Sequence, residues 1–191
     1  MSRPLTIRWH SRAGQGAITV ANALVEILGA HGKTVQSFPE FGAEKRGAPV
    51  LVFNRIGDSE IRDTSKPRSP EIVILLDSSL VASDEVSATE VLAGLPVDGK
   101  LLINTAQENV AFASDVTHVW RLDASKIAMD EIGRDIPNVP ILGALLKIAE
   151  LADLESFQKE LASYLSRGLP KKVVAGNMKA FERGFTEITK I

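Results

Sequence analysis

Residues 5–38 read as strand, glycine turn, helix, strand, and no other stretch of the sequence narrows the possible folds as far. Leu5, Ile7 and Trp9 alternate with Thr6 and Arg8, the period of a half-buried strand. Residues 11–16, ending Gly14-Gln15-Gly16, form a turn. Beyond it Ile18, Ala21, Leu24, Val25 and Leu28 recur at helical spacing, and Gly29 and Gly32 close that helix. Residues 34–38 follow as a second strand. Such a βαβ unit favours a parallel sheet with a right-handed crossover.

The rest of the chain extends this pattern. Two prolines and two glycines between Pro39 and Pro49 exclude regular structure there, so a loop is expected over the whole segment. Residues 50–56 read as a strand, Gly57-Asp58 as a turn, and residues 60–62 as a short antiparallel return. Residues 72–76 are an uninterrupted apolar run ending at Asp77, as in a strand buried on both faces, and residues 101–104 repeat the pattern. Residues 117–122 form a further strand, with Asp123 capping a helix to about Ile132. From about residue 140 the chain is helical: Ile141, Leu145, Ile148 and Leu151 share one face, Leu154, Phe157, Leu161 and Leu165 another, and a last helix covers residues 171–188. The expected architecture is α/β: a Rossmann-like three-layer domain with a mostly parallel sheet and a C-terminal helical segment. One domain over residues 1–191 is expected, its α/β core at about 4–135 and its helical part at about 140–191.

Composition removes several classes of function. With 22 Lys+Arg against 24 Asp+Glu the net charge is −2, which gives no basic stripe for nucleic acid. There is no cysteine, hence no thiolate nucleophile, no Cys zinc site and no Cys-ligated iron–sulfur cluster on this chain. No run reaches the roughly 18 apolar residues of a membrane span, and the first ten residues lack a secretory apolar stretch. A soluble, cytoplasmic protein is expected. His10, His31 and His118 lack metal-ligand spacing, Ser59 lacks the closing glycine of a nucleophile elbow, and no acid–base pair stands out.

Two segments carry chemistry. In the glycine turn, Gly14 and Gly16 would let backbone amides approach a phosphate at a helix N-terminus. A dinucleotide fingerprint would need glycine at position 19, which is Thr19, and an acid at the end of the second strand, where Glu40 comes late. The loop that follows leaves the same edge of a parallel sheet, where ligand crevices form. Arg12, Gln15, Glu44, Lys45 and Arg46 would then line one polar surface. Asp77 could bind ligand there or cap the residues after it.

Four segments, in order, carry a resemblance over residues 5–190. Trp9-His10-Ser11-Arg12-Ala13-Gly14-Gln15-Gly16-Ala17 and Phe38-Pro39-Glu40-Phe41-Gly42-Ala43-Glu44-Lys45-Arg46-Gly47-Ala48-Pro49 resemble two motifs of the γ subunit of 2-oxoacid:ferredoxin oxidoreductases, the pyruvate:ferredoxin oxidoreductase superfamily. The run ending at Asp77 with Ser79-Leu80, and Ile136-Pro137-Asn138-Val139-Pro140-Ile141-Leu142-Gly143-Ala144, also fit. Departures are Ala13 for glycine, Ala43 for proline and Lys45 for arginine. The methyl group of Ala13 restricts approach to the turn, and Lys45 lacks the fork of arginine.

The resemblance implies a subunit inactive alone. Its complex would decarboxylate a 2-oxoacid to an acyl-CoA and CO2, using thiamine diphosphate with Mg2+, [4Fe–4S] clusters and coenzyme A. Electrons would pass to ferredoxin, or through a flavin subunit to NAD. Partners would be α and β thiamine-binding subunits and a δ ferredoxin-like subunit, with no nucleic acid and no membrane. Arg12, Gly14, Gln15, Gly16, Glu44, Lys45 and Arg46 would face the interface or coenzyme A phosphates; no catalytic and no metal-ligating residue is expected. Two other readings stay open on the residues alone: a free-standing NAD-binding reductase or sensor module, and a purely structural subunit.

Overall fold

A computed structural model describes residues 3–41, 47–113 and 116–191. Its elements are β1 (Leu5–Arg12), α1 (Ala17–Ala30), β2 (Thr34–Phe41), β3 (Pro49–Gly57), β4 (Ile72–Leu75), α2 (Ser79–Ala82), α3 (Ala88–Leu92), β5 (Lys100–Asn104), β6 (His118–Leu122), α4 (Ala124–Ile132), α5 (Asn138–Ala149), α6 (Leu154–Ser166), α7 (Lys171–Glu187) and β7 (Thr189–Lys190). The strands form one seven-stranded sheet in the order β2-β3-β1-β4-β5-β6-β7. Pairs β1–β4, β4–β5 and β5–β6 are parallel; β3 is antiparallel to β1 and β2, and β7 to β6. Helices cover both faces, giving the expected three-layer α/β arrangement.

Three local expectations are corrected. β1 and β2 run in the same direction but are not neighbours, because β3 lies between them. The reason is burial: Val50, Val52 and Ile56 of β3 complete the apolar layer under α1, and the Trp9 indole N–H donates to Asn54 Oδ1 at 2.9 Å. Next, β2 continues through Pro39 to Phe41, where a loop was expected. Proline is tolerated because β2 is an edge strand with one side free of ladder bonds. Finally, residues 60–62 form no strand. The Gln36 side chain donates to the Ile61 carbonyl at 3.1 Å, and Arg55 donates to the carbonyls of Asp63 and Ser65. Side chains of β2 and β3 thus hold the backbone that a hairpin partner would have held. The helices α2 and α3 and the strand β7 are additions that local periodicity did not reveal.

Alternation along the central strands feeds two cores. Ile7, Trp9, Ile72, Ile74 and Leu102 point to the face covered by α1, α4, α5, α6 and α7. Val73, Leu75, Leu101, Ile103 and Val119 point to the smaller layer of α2, α3 and a short turn at Ala111–Ala113. Ile72 to Leu75 are buried throughout, as an apolar run on both faces requires.

Ten of the twelve residues of α5 are buried, so it runs between the sheet and α7 with almost no solvent face. Two glycines permit that packing. A Cβ on Gly143 would lie 2.1 Å from the Phe181 carbonyl oxygen, and one on Gly184 would collide with the Pro140 carbonyl. The partners are backbone and cannot rotate away. Gly143→Ala should therefore cost about 3 kcal/mol by overpacking, read as a lower urea midpoint at unchanged slope.

Candidate functional site

Strand order reverses at β1, whose sequence-later neighbours β3 and β4 lie on opposite sides. In open α/β sheets ligand crevices form outside the carboxyl ends of strands at such a point. Here those ends are Arg12, leading into the glycine turn, and the Leu76–Asp77 exit from β4. The Leu76 N–H donates to the His10 carbonyl at 2.8 Å, so the two exits stay paired to their last residues.

The glycine turn is held by its own side chains. Gln15 Oε1 accepts the Arg12 N–H at 2.8 Å, and Gln15 Nε2 donates to Asp77 Oδ2 at 2.8 Å. Asp77 Oδ1 accepts the Ser79 N–H at 2.9 Å, so this carboxylate both caps the turn into α2 and anchors Gln15. Gly16 sits at the N-cap of α1 with φ +79°, a conformation that disfavours L side chains. A Cβ there would also meet the Asn138 amide at 2.2 Å, the group that donates to the Gly16 carbonyl at 3.1 Å. The start of α5 thereby clamps the start of α1.

Among the described residues no side chain caps α1, so its first-turn N–H groups lack that partner there. They open on a cavity of about 320 Å³ lined by Ser11, Arg12, Gly14, Gly16, Ile18 and Thr19, among others. A 14-residue helix offers positive potential there. Donors plus potential suit an anion, phosphate above all.

Arg12 is placed otherwise than a phosphate-facing guanidinium would be. It donates to both carboxylate oxygens of Glu85 at 2.7 Å each and to the Gly47 carbonyl at 3.0 Å, and its Nε lies 3.1 Å from Asp77 Oδ2. The paired guanidinium holds the Glu85 carboxyl down at about 2, with a further bond from Ser83. Arg12 ties three segments together and keeps no obvious donor for a ligand in this arrangement. Arg12, Gly14, Gln15 and Gly16 are thus brought together. Glu44, Lys45 and Arg46 lie outside the described residues. The described residues on either side of them flank the turn: the Ala13 N–H donates to the Ala48 carbonyl at 3.0 Å, and β2 ends at Phe41, whose register partner Val50 also pairs with Ser11. Among the described residues no cluster of His, Cys, Asp and Glu could hold a metal ion.

Sequence reasoning missed Glu85, Asn138 as a clamp, and His10. Glu85 is 73 residues from Arg12 and carries no local signal. Asn138 stands out only as a polar residue between two prolines. His10, on the buried β1, is 1% exposed with both ring nitrogens unpartnered. Burial first, and the nearby Arg8 charge second, push its pKa from 6.5 to about 3. The unfolded chain therefore binds a proton near pH 6.5 that the folded chain refuses until about pH 3. This contribution is complete above pH 6.5 and is lost as pH falls towards 3, at about 1.4 kcal/mol per pH unit on the steepest part. Urea titrations between pH 7 and 4 should show that slope, and His10→Leu should flatten it.

Comparison with known proteins adds three findings. The family model described as pyruvate ferredoxin/flavodoxin oxidoreductase matches residues 6–187. Among curated proteins, pyruvate synthase subunit PorC of Thermotoga maritima is 39% identical over 186 residues, covering 95% of this chain and 93% of that protein. The common subunit gamma of the pyruvate/ketoisovalerate oxidoreductases of Pyrococcus furiosus is 35% identical, with 98% and 100% covered. Among solved structures, the crystal structure of the pyruvate oxidoreductase subunit PORC of Thermotoga maritima superposes with a TM-score of 0.82 at 35% identity, over 99% of both chains. A 2-oxoglutarate:ferredoxin oxidoreductase of Magnetococcus marinus, solved with 2-oxoglutarate, coenzyme A and succinyl-CoA, shares the fold at 17% identity and a TM-score of 0.76. There the match covers 100% of this chain and 32% of that one.

Proposed function

Since the chain belongs to the pyruvate ferredoxin/flavodoxin oxidoreductase family and is a gamma subunit of a 2-oxoacid oxidoreductase complex, we propose that its glycine-turn edge faces the catalytic subunits and receives the phosphates of coenzyme A. The observation that carries this reading is the uncapped N-terminus of α1, opening into the cavity at the strand-order reversal.

The division of labour follows from what the chain holds. With no cysteine it ligates no [4Fe–4S] cluster, and its described residues offer no carboxylate–histidine cluster for the Mg2+ of thiamine diphosphate. Those groups would reside on the α, β and δ partners, or on an added flavin subunit where NAD is the acceptor. No helix among the described residues is long and apolar enough to cross a membrane, which fits a cytoplasmic complex. In such an assembly this subunit's work is positioning. The first turn of α1 presents backbone donors, Gln15 and Asp77 hold that turn, and Lys45 and Arg46 would add positive charge. Binding energy spent on the distant nucleotide end of a substrate can orient its reacting thiol elsewhere. Protein chains then shield the reactive intermediates from water while the cofactors carry the chemistry.

Two substitutions test the placement in the purified complex, assayed by 2-oxoacid- and coenzyme A-dependent viologen reduction. Arg46→Ala should raise KM for coenzyme A about tenfold, the order expected for one charge-assisted contact, or else detach the subunit. Thr19→Glu puts a carboxylate in the first turn of α1, which favours the helix but repels a phosphate. It should leave the melting temperature unchanged or higher while raising KM for coenzyme A at constant KM for the oxoacid. If both variants keep wild-type KM for coenzyme A and full subunit retention, the edge faces something else.

A further inference from the structure

At the amino ends of the parallel strands, on the edge away from the glycine turn, a cavity of about 540 Å³ opens. It lies between the residues leading into β1, the end of β3 and the irregular segment 60–69. Its lining holds five cations, Arg3, Arg55, Arg62, Lys66 and Arg68, against two carboxylates, Glu60 and Asp63. The whole chain has a net charge of −2, so this excess is a local concentration of positive charge.

The five cations have separate roles. Arg55 has only 7% of its side chain exposed, and each of its terminal nitrogens has two acceptors. Through the carbonyls of Asp63 and Ser65 it holds the segment in one shape, which leaves it committed to the fold. The other four are exposed. Arg62 has 86% of its side chain in solvent and pairs only with Glu60, two residues away. Arg3 pairs with Glu71 and Lys66 with Glu40, and neither of those carboxylates lines the cavity. Arg68 has no hydrogen bond or ion pair among the described residues. Ion pairs this exposed are weak and exchange partners readily.

We propose that this corner docks an acidic segment of another subunit of the same oxidoreductase complex, whose Asp or Glu carboxylates pair with Arg62, Lys66 and Arg68. Charge complementarity selects the occupant, since inside the cavity cations outnumber carboxylates. The form of the surface favours a polypeptide over a small anion. Its one buried cation is already taken, and the exposed ones follow one another along the segment at 62, 66 and 68. An extended run of carboxylates can meet them in turn. Because Arg55 has fixed the segment beforehand, less ordering is needed on docking. The inference needs this chain to be a subunit of that complex and is independent of what the glycine-turn edge receives.

Subunit exchange in the purified complex, against a labelled wild-type copy, tests the surface. At low salt Arg62→Glu/Arg68→Glu should exchange at least tenfold faster than wild type, and the neutral Arg62→Gln/Arg68→Gln should fall between them. Added salt should speed wild-type exchange and close the gap, because exposed charges are screened beyond about 10 Å at 0.1 M. The full chain alone should melt at the wild-type temperature in every form. Carbodiimide, which couples an amine to a carboxylate, should link Lys66 to an Asp or Glu of another subunit, read by peptide mass spectrometry. Wild-type exchange rates in the Glu variant, or Lys66 coupled only to Glu40, would overturn the proposal. So would rates that ignore charge, with the Gln variant as fast as the Glu variant, which would make the segment a structural support. Pyrophosphate binding to the wild-type chain but not to the Glu variant, with exchange unchanged, would instead assign the corner to a small anion and overturn it too.

Discussion

The buried hydrogen bond from the Trp9 indole to Asn54 joins the two strands on which everything else is hung. Both residues are fully buried, so the bond forms in a low-dielectric setting where either group alone would be costly. It also fixes register. Trp9 pairs across to Val52 and Asn54 to Ile7, and a slip of one residue would turn Val52 and Ile56 away from α1. With β3 locked beside β1, the exit of β2 lies two strands from the glycine turn, roughly 10 Å away at about 4.8 Å per strand. The described ends of the two motif segments are thereby brought to one edge.

That edge is built from backbone donors above a scaffold of carboxylates. Asp77 and Glu85 take up the charge of Arg12, while Asp77 also holds Gln15. The result is a rigid turn with an open helix N-terminus, not a ready cluster of cations. The absence of cysteine leaves this chain no thiolate with which to ligate an iron–sulfur cluster.

Much of this was legible beforehand. The apolar runs at β4 and β5 announced strands buried on both faces, and Asp123 marked the start of α4, where its carboxylate accepts the Lys126 N–H at 3.0 Å. Such features are local, and periodicity or capping chemistry encodes them within a few residues. The end of β2 was misread because proline argues against a strand only where both edges are paired, and edge position is not a local property. Residues 60–62 were misread as a strand because the competing donors, Gln36 and Arg55, belong to other strands.

The sequence by itself determined the alternation of strands and helices, the glycine turn at the head of α1, and the exclusion of thiol and cluster chemistry. Each depends on residue type and near spacing alone. Only the tertiary structure decided that β3 enters between β1 and β2, that Arg12 spends its donors on Glu85, and that His10 is sealed without a partner. Those outcomes depend on which distant groups burial brings within hydrogen-bonding reach, and burial is a property of the closed sheet with its layers, not of any window along the chain.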